Sequence, residues 1–271
     1  RSTQAKTLFP YTTLFRSLAI SLVGLLLFMW YLKQPVALGL KSILHLALIG
    51  SVVGLHWYFF YHAIKVSNVS VTMAGFSTIT LFASLMQPLL MKKKFFWGDF
   101  IYGIILVIGL GIIFKFETNQ LAGLVYGMLA ALTAAFFGVY NGKLIATHGA
   151  YKITFYEFLG ALVFITLAKI GMDPNGFNLP EVGLSDGIAL MILSVLCTII
   201  AFTWSVEILK LFSPLTVIIT NNLEPVYGIA FSLFLFGDTE YMNSGFYVGA
   251  AIILLSVFTY PLIKQRFVKD I

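Results

Sequence analysis

About nine apolar runs on the scale of a lipid bilayer constrain this chain more than any other feature. They are roughly Leu18–Tyr31, Ile43–Ile64, Val69–Met91, Phe95–Phe114, Leu121–Leu144, Ile153–Gly171, Gly187–Leu209, Leu215–Phe236 and Gly245–Ile263. A helix crosses the hydrocarbon core with about 20 apolar residues, whereas a membrane strand needs only about 10. The runs are too long for strands and lack strict alternation, so they read as helices. Water is excluded as the only solvent by composition: 59% of the 271 residues are hydrophobic and only 10% charged. Soluble domains carry roughly 25% charged residues. With so few, the surface would be one continuous apolar patch, and lipid must cover it. The expected fold class is all-α, a polytopic membrane helix bundle.

Connections between runs are only a few residues long, except Met172–Asp186. That loop holds the turn formers Asp173, Pro174, Asn175, Gly176 and Pro180. The net charge of +6 lies in short loops rather than on one helix face, so no nucleic-acid partner is expected. Cys197 is the lone cysteine and sits in an apolar run, which excludes an internal disulfide and suits a small hydrophobe. There is no His-Glu-x-x-His, no cysteine pair, no phosphate loop and no Gly-x-Ser-x-Gly. No metal, no cofactor and no enzymatic activity are therefore expected. A secretory signal peptide is not evident.

Residues 1–17 do not fit the pattern. Arg1–Ser17 lacks an initiator Met and carries Pro10 among scattered Thr and Lys. The segment reads either as a foreign or truncated tail, with a native helix before Leu18 missing, or as an ordinary disordered tail. Charge in the loops sets orientation, because cytoplasmic loops collect Lys and Arg. One side carries Lys33, Lys41, Lys92, Lys93, Lys94, Lys143, Lys152, Lys264, Arg266 and Lys269. The other carries Lys65, Lys115, Lys169 and Lys210 with the acidic Asp173, Glu181 and Asp186. The first side is expected to be cytoplasmic, with the C-terminus on it, in the cell (inner) membrane. Nine spans would leave Arg1, Lys6 and Arg16 outside, and one further helix removes that conflict.

The two halves echo each other at an offset of 145 residues. Ala63-Ile-Lys-Val-Ser-Asn68, a helix, Lys92–Lys94 and another helix correspond to Ile208-Leu-Lys-Leu-Phe-Ser213, a helix, Gly237-Asp238 and another helix. An odd number of spans per copy inverts the second copy, a plan on which many secondary transporters are built. The first repeat is expected over residues 18–115 with its first helix missing, the second over 121–263, and a cytoplasmic tail over 264–271. Asn222-Leu-Glu-Pro-Val226, followed thirteen residues after Pro225 by Asp238, resembles the EamA family of the drug/metabolite transporter superfamily. Gly54-Leu-His-Trp-Tyr-Phe-Phe-Tyr-His-Ala-Ile-Lys65 is similar to that family's third-helix ending. The resemblance covers roughly Leu18–Ile263. It implies ten helices in a five-plus-five inverted-repeat drug/metabolite transporter fold with both ends cytoplasmic. The first-half positions matching Pro225 and Asp238 are Thr80 and Lys93, so the first copy lacks both marks.

Polar groups at membrane depth are costly and mark partners or water-filled cavities. Asn221, Glu224 and Gly228 share one helical face, and Asn222 lies beside them. Pro225 has no N–H, which frees the carbonyl of Asn221. A carboxylate, an amide and a free carbonyl suit a cation or ammonium, and Glu224 could also exchange a proton; the alternative is a pair with a Lys near a helix end. Trp204 could stack a flat or cationic substrate. Glu207, three residues before Lys210, reads as a surface ion pair. Glu157 is open between an interfacial residue and a proton carrier. His56, mid-helix, is either a packing residue or a cavity residue suited to proton coupling. On the third run Ser77, Thr80, Ser84 and Gln87 form a stripe. Ser77 and Ser84 are expected to bond back to their own helix, leaving Thr80 and Gln87 as cavity candidates. Tyr140 and Asn141 are candidates because the resemblance implies a cavity-lining helix there. Gly50-x-x-x-Gly54, Gly123-x-x-x-Gly127 and Gly245-x-x-x-Gly249 read as sites of close helix packing.

The expected function is secondary transport of small metabolites such as amino acids by alternating access, in the export direction that the resemblance implies. The partners are a small-molecule substrate, the bilayer and protons, with the chain a monomer or homodimer. An intramembrane enzyme using His56, and a non-transporting scaffold or truncated product, are the alternatives.

Overall fold

The computed structural model describes residues 10–92, 97–116, 118–172, 182–221, 223–237 and 242–269. All regular structure among them is helical. Helix α1 spans Pro10–Tyr31, α2 Leu40–Val66, α3 Val69–Phe76, α4 Ile79–Met91 and α5 Trp97–Phe116. Then come α6 Leu121–His148 and α7 Ala150–Met172. After these, α8 Leu184–Ile192, a π-helical stretch Leu193–Ile200 and α9 Ala201–Ile208 run on without a break in the chain's helical path. The last elements are α10 Pro214–Asn221, α11 Leu223–Phe236 and α12 Ser244–Lys269. Six helical segments among the described residues are long and apolar enough to cross a membrane: 12–31, 40–66, 69–91, 121–148, 150–171 and 184–208. The runs Phe95–Phe114, Leu215–Phe236 and Gly245–Ile263 are helical as well, but each is split or includes positions outside the described set. This is a multi-pass α-helical membrane protein.

Helix α1 begins at Pro10, eight residues before its apolar run. Proline suits a first helical position because its missing N–H is one that the helix start could not have satisfied. Along α1 the buried positions include Leu14, Leu18, Ser21, Leu25 and Met29, spaced at helical period, with Thr12 and Ser17 buried near its start. Val23, Leu27 and Trp30 on the opposite side are exposed. Both faces are apolar, so hydropathy alone cannot tell which packs; in lipid, fit decides rather than polarity.

The chain divides into two compact units: residues 1–58 with 141–212, and residues 59–140 with 213–271. In the first unit α1 packs on α7 and on the π-helical stretch. The π turn is visible in Thr198, whose hydroxyl donates to the Leu193 carbonyl five residues back at 2.7 Å. Ser21 on α1 donates across to the Ser194 carbonyl at 3.1 Å. Helices α2 and α7 touch backbone to backbone. A Cβ on Gly50 would collide with the Glu157 carbonyl, and one on Gly160 with Ala47. A Cβ on Gly54 would stand 3.1 Å from Ala161 Cα.

In the second unit α5 packs along α12, where Gly109 and Gly249 face one another: a Cβ on Gly249 would lie 2.6 Å from the Gly109 carbonyl oxygen. The core beside it is built from Phe76, Ile79, Ala83, Val139, Ile218 and Tyr260, with a row of alanines on α6 at 130, 131, 134 and 135. Small side chains let helices approach closely, which is where dispersion contacts accumulate when lipid offers no hydrophobic penalty for separation.

Candidate transport site

The third and eighth runs both lie in the second unit. The third run is interrupted at Ser77–Thr78, where α3 gives way to α4. In the eighth run α10 and α11 flank position 222, which lies outside the described residues. At the offset of 145 residues the starts of the two runs coincide. Asn68 caps α3, its Oδ1 accepting the Val71 N–H at 2.9 Å, and Ser213 caps α10, its Oγ accepting the Thr216 N–H at 3.2 Å. Their ends coincide as well: α4 stops at Met91 and α11 at Phe236. Lys92 and Gly237 then turn the chain through left-handed φ of 53° and 54°.

The halves cross. Helix α3 packs on α11, and α10 packs on α4. Ser70 on α3 shares a hydrogen bond with Ser232 on α11 at 3.0 Å. Gln87 on α4 accepts the Leu215 N–H of α10 through its Oε1 at 2.9 Å. Positions 70 and 215 are equivalent in the repeat, and so are 87 and 232. The two bonds are one contact formed twice. A leading half against a trailing half, in both pairings, is an antiparallel arrangement and the mark of an inverted repeat.

A helix interruption at membrane depth leaves carbonyls and N–H groups without helical partners. In the first copy the side chains at the break take up the carbonyls. The Ser77 hydroxyl donates to the Ala74 carbonyl at 2.6 Å and the Thr78 hydroxyl to the Gly75 carbonyl at 2.7 Å. Ser84 likewise bonds back to Leu81 at 2.7 Å. Thr80 is buried in the first turn of α4, and Gln87 is spent on the start of α10. In the second copy Asn221 is half-buried and Glu224 exposed. Asn222 lies between them, outside the described residues. Tyr140, at the edge of this unit, stacks on Phe136 with ring centroids 5.7 Å apart.

The first unit holds Asn141, His56 and Trp204. His56 is buried and Trp204 is 66% exposed. Glu207 and Lys210 form an exposed ion pair, as their spacing suggested. Asn141 is fully buried and its Nδ2 donates to Oε2 of the equally buried Glu157 at 3.1 Å. The other oxygen of each group, Asn141 Oδ1 and Glu157 Oε1, is buried with no hydrogen-bond partner among the described residues. So is the hydroxyl of Thr154, one turn before Glu157 on the same face. Sequence reasoning singled out Asn141 but left Glu157 undecided. A readable signal existed: Asn141 lies eight residues before Gly149 and Glu157 eight after it. Gly149, at φ 73°, is the single residue joining α6 to α7. Positions equidistant from a tight helical turn come side by side.

Residues 121–260 match the EamA-like transporter family, more than half of the chain. The chain belongs to the EamA family. Members are transporters, within the drug/metabolite transporter superfamily. Among curated proteins none matches this EamA chain. A solved crystal structure of another protein superposes with a TM-score of 0.69 at 13% identity, over 97% of this chain and 92% of that one. At that identity the likeness shows the fold alone.

Proposed function

We propose that this EamA protein is a secondary transporter that exports small metabolites such as amino acids by alternating access. The observation that carries the reading is the match of residues 121–260 to the EamA-like transporter family, beside the antiparallel packing of the third and eighth runs. Secondary transporters of inverted-repeat build place polar substrate groups between the repeats, at discontinuous helices. The third run carries the interruption at Ser77–Thr78, and the eighth run, packed against it, carries Asn221 and Glu224. In this reading Glu224 and Asn221, with Asn222, hold the ammonium or another polar end of the substrate. Thr80 and Gln87 belong to the third run, packed against the eighth, and Tyr140, Asn141, His56 and Trp204 are further substrate- or proton-binding residues in this reading. The C-terminus is cytoplasmic and the membrane is the cell (inner) membrane, on the support of the lysine distribution.

A screen of labelled metabolites in proteoliposomes tests this. Flux of at least one amino acid or related metabolite is expected, and Glu224→Ala is expected to abolish it while the protein still elutes as a folded species. Unchanged flux in Glu224→Ala would remove Glu224 from the site. A full screen without flux would sink the transport reading. Orientation is tested separately, by labelling single cysteines placed at Lys92 and Lys65 from one side of sealed vesicles: only the first is expected to be protected from outside.

A further inference from the structure

Among the described residues, the buried carboxyl of Glu157 has no counter-charge, its one hydrogen bond comes from a neutral amide, and its second oxygen has none. The acidic and basic side chains on the helices packed against α7 are Arg16 on α1, Lys41, His45, His56, His62 and Lys65 on α2, Lys143 and His148 on α6, and Glu207 on α9. None of them is bonded to the Glu157 carboxyl. On α7 itself Lys152 and Lys169 lie more than a turn away on either side. The two oxygens left over, Glu157 Oε1 and Asn141 Oδ1, belong to the two groups already bonded through their other atoms. With Glu157 ionised both are acceptors only, and neither can satisfy the other. One proton changes that, because a carboxylic acid is both a donor and an acceptor, the complement of an amide.

The geometry points to a proton-binding site made by Glu157 and Asn141, in which Glu157 Oε1–H donates to Asn141 Oδ1 while Asn141 Nδ2–H donates to Glu157 Oε2. The proton comes from water and returns to it, and no other bond is made or broken. Two bonds then close a ring between the acid and the amide, and both orphaned atoms are used. A buried polar atom without a partner is expensive, so the pair holds its proton until the site opens to water. A metal cation fits less well, since it would draw on carboxyl oxygens of which one is already taken by the amide N–H. This deepens the transport reading by naming the coupling ion, and it rests on that reading only for the consequence, not for the site.

Infrared spectroscopy of the full chain in lipid nanodiscs at neutral pH reads the site without any transport. A carboxylic-acid C=O band is expected in the wild type and is expected to vanish in Glu157→Gln, whose amide keeps the pairing and the fold. In Asn141→Leu the band is expected at higher frequency, because the acid has lost its acceptor. No Glu157-dependent acid band at neutral pH would overturn the proposal, as would loss of the band on adding sodium at constant pH. An unmoved band in Asn141→Leu would take Asn141 out of the site. A Glu157 band in protein that shows no flux would leave the proton site standing and count against the transport reading. Flux without the band would do the reverse.

Discussion

The third and eighth runs share a backbone plan and almost none of its chemistry. Caps and left-handed ends fall at matching positions, so the repeat offset carries geometry. Side chains between them have gone separate ways. In the third run Ser77 and Thr78 satisfy the carbonyls that the interruption frees, and Thr80 is buried. The eighth run has a leucine, Leu223, at the position of Thr78, and an exposed carboxylate, Glu224, beside it. What the difference teaches is a division of labour. One run is a packed wall, and the other presents charge.

Gly75 and Thr220 occupy equivalent positions in the two runs, and they break the comparison hardest. A Cβ on Gly75 would lie 2.6 Å from the Leu124 carbonyl oxygen, backbone that cannot move aside cheaply. Thr220 is exposed and bonds only within its own helix, to Thr216 at 3.1 Å. Gly75→Thr is therefore expected to destabilise by about 3 kcal/mol through overpacking. Thr220→Gly should change stability by only about 0.5 kcal/mol, the difference in helix propensity. Reversible unfolding in mixed micelles measures both. Equal effects would mean that the two copies are packed alike.

Next in size is the break itself. Replacing Ser77 by Ala and Thr78 by Val together removes the hydroxyls from two buried carbonyls. Leaving such groups short of a partner is expected to cost about 1–2 kcal/mol in all. If the double variant were as stable as the wild type, the first break would not depend on its hydroxyls, and the contrast with Leu223 would lose its meaning.

Much of this arrangement could be read from residues. The repeat offset, the apolar runs, the Ser77 and Ser84 back-bonds and the Glu207–Lys210 pair all follow from spacing, because helices translate spacing directly into neighbours. The interruption at Ser77–Thr78 could not. It has neither proline nor glycine at the kink, and serine and threonine are ordinary in membrane helices. The π-helical stretch at Leu193–Ile200 is equally silent, since its apolar residues fit either winding. Gln87 looked like a cavity residue because its partner, a backbone N–H at the start of α10, has no sequence signature. The pairing of Asn141 with Glu157 was within reach, but only by measuring from the Gly149 turn rather than along either helix. Which face of α1 is buried was not legible, since lipid and core are both apolar.

The left-handed ends sharpen the comparison at a smaller scale. Gly237 takes φ of 54° without a Cβ, whereas Lys92 takes 53° with one. A left-handed L-residue costs roughly 1–2 kcal/mol relative to glycine. Lys92→Gly should thus gain about 1 kcal/mol, and Gly237→Ala should lose about as much. A loss in Lys92→Gly would indicate that the lysine side chain compensates its own backbone.

Smallest of all is the loop before each of the two runs. Lys65 and Lys210 are equivalent, and so are the residues three positions earlier, His62 and Glu207. In the second copy the pair is of opposite charge and forms a surface ion pair, with both side chains nearly half exposed. In the first copy the histidine turns to an aromatic partner instead, meeting the Tyr126 ring edge-on with centroids 4.5 Å apart. Exposed ion pairs are screened and worth little. Glu207→Gln is expected to change stability by less than about 0.5 kcal/mol, and raising salt should change the wild type and the variant alike. His62→Ala removes ring packing that salt does not screen, so its cost should exceed that of Glu207→Gln and persist in high salt. The reverse order would mean that the loop ahead of the charged run, not the one ahead of the packed wall, is held in place by its side chains.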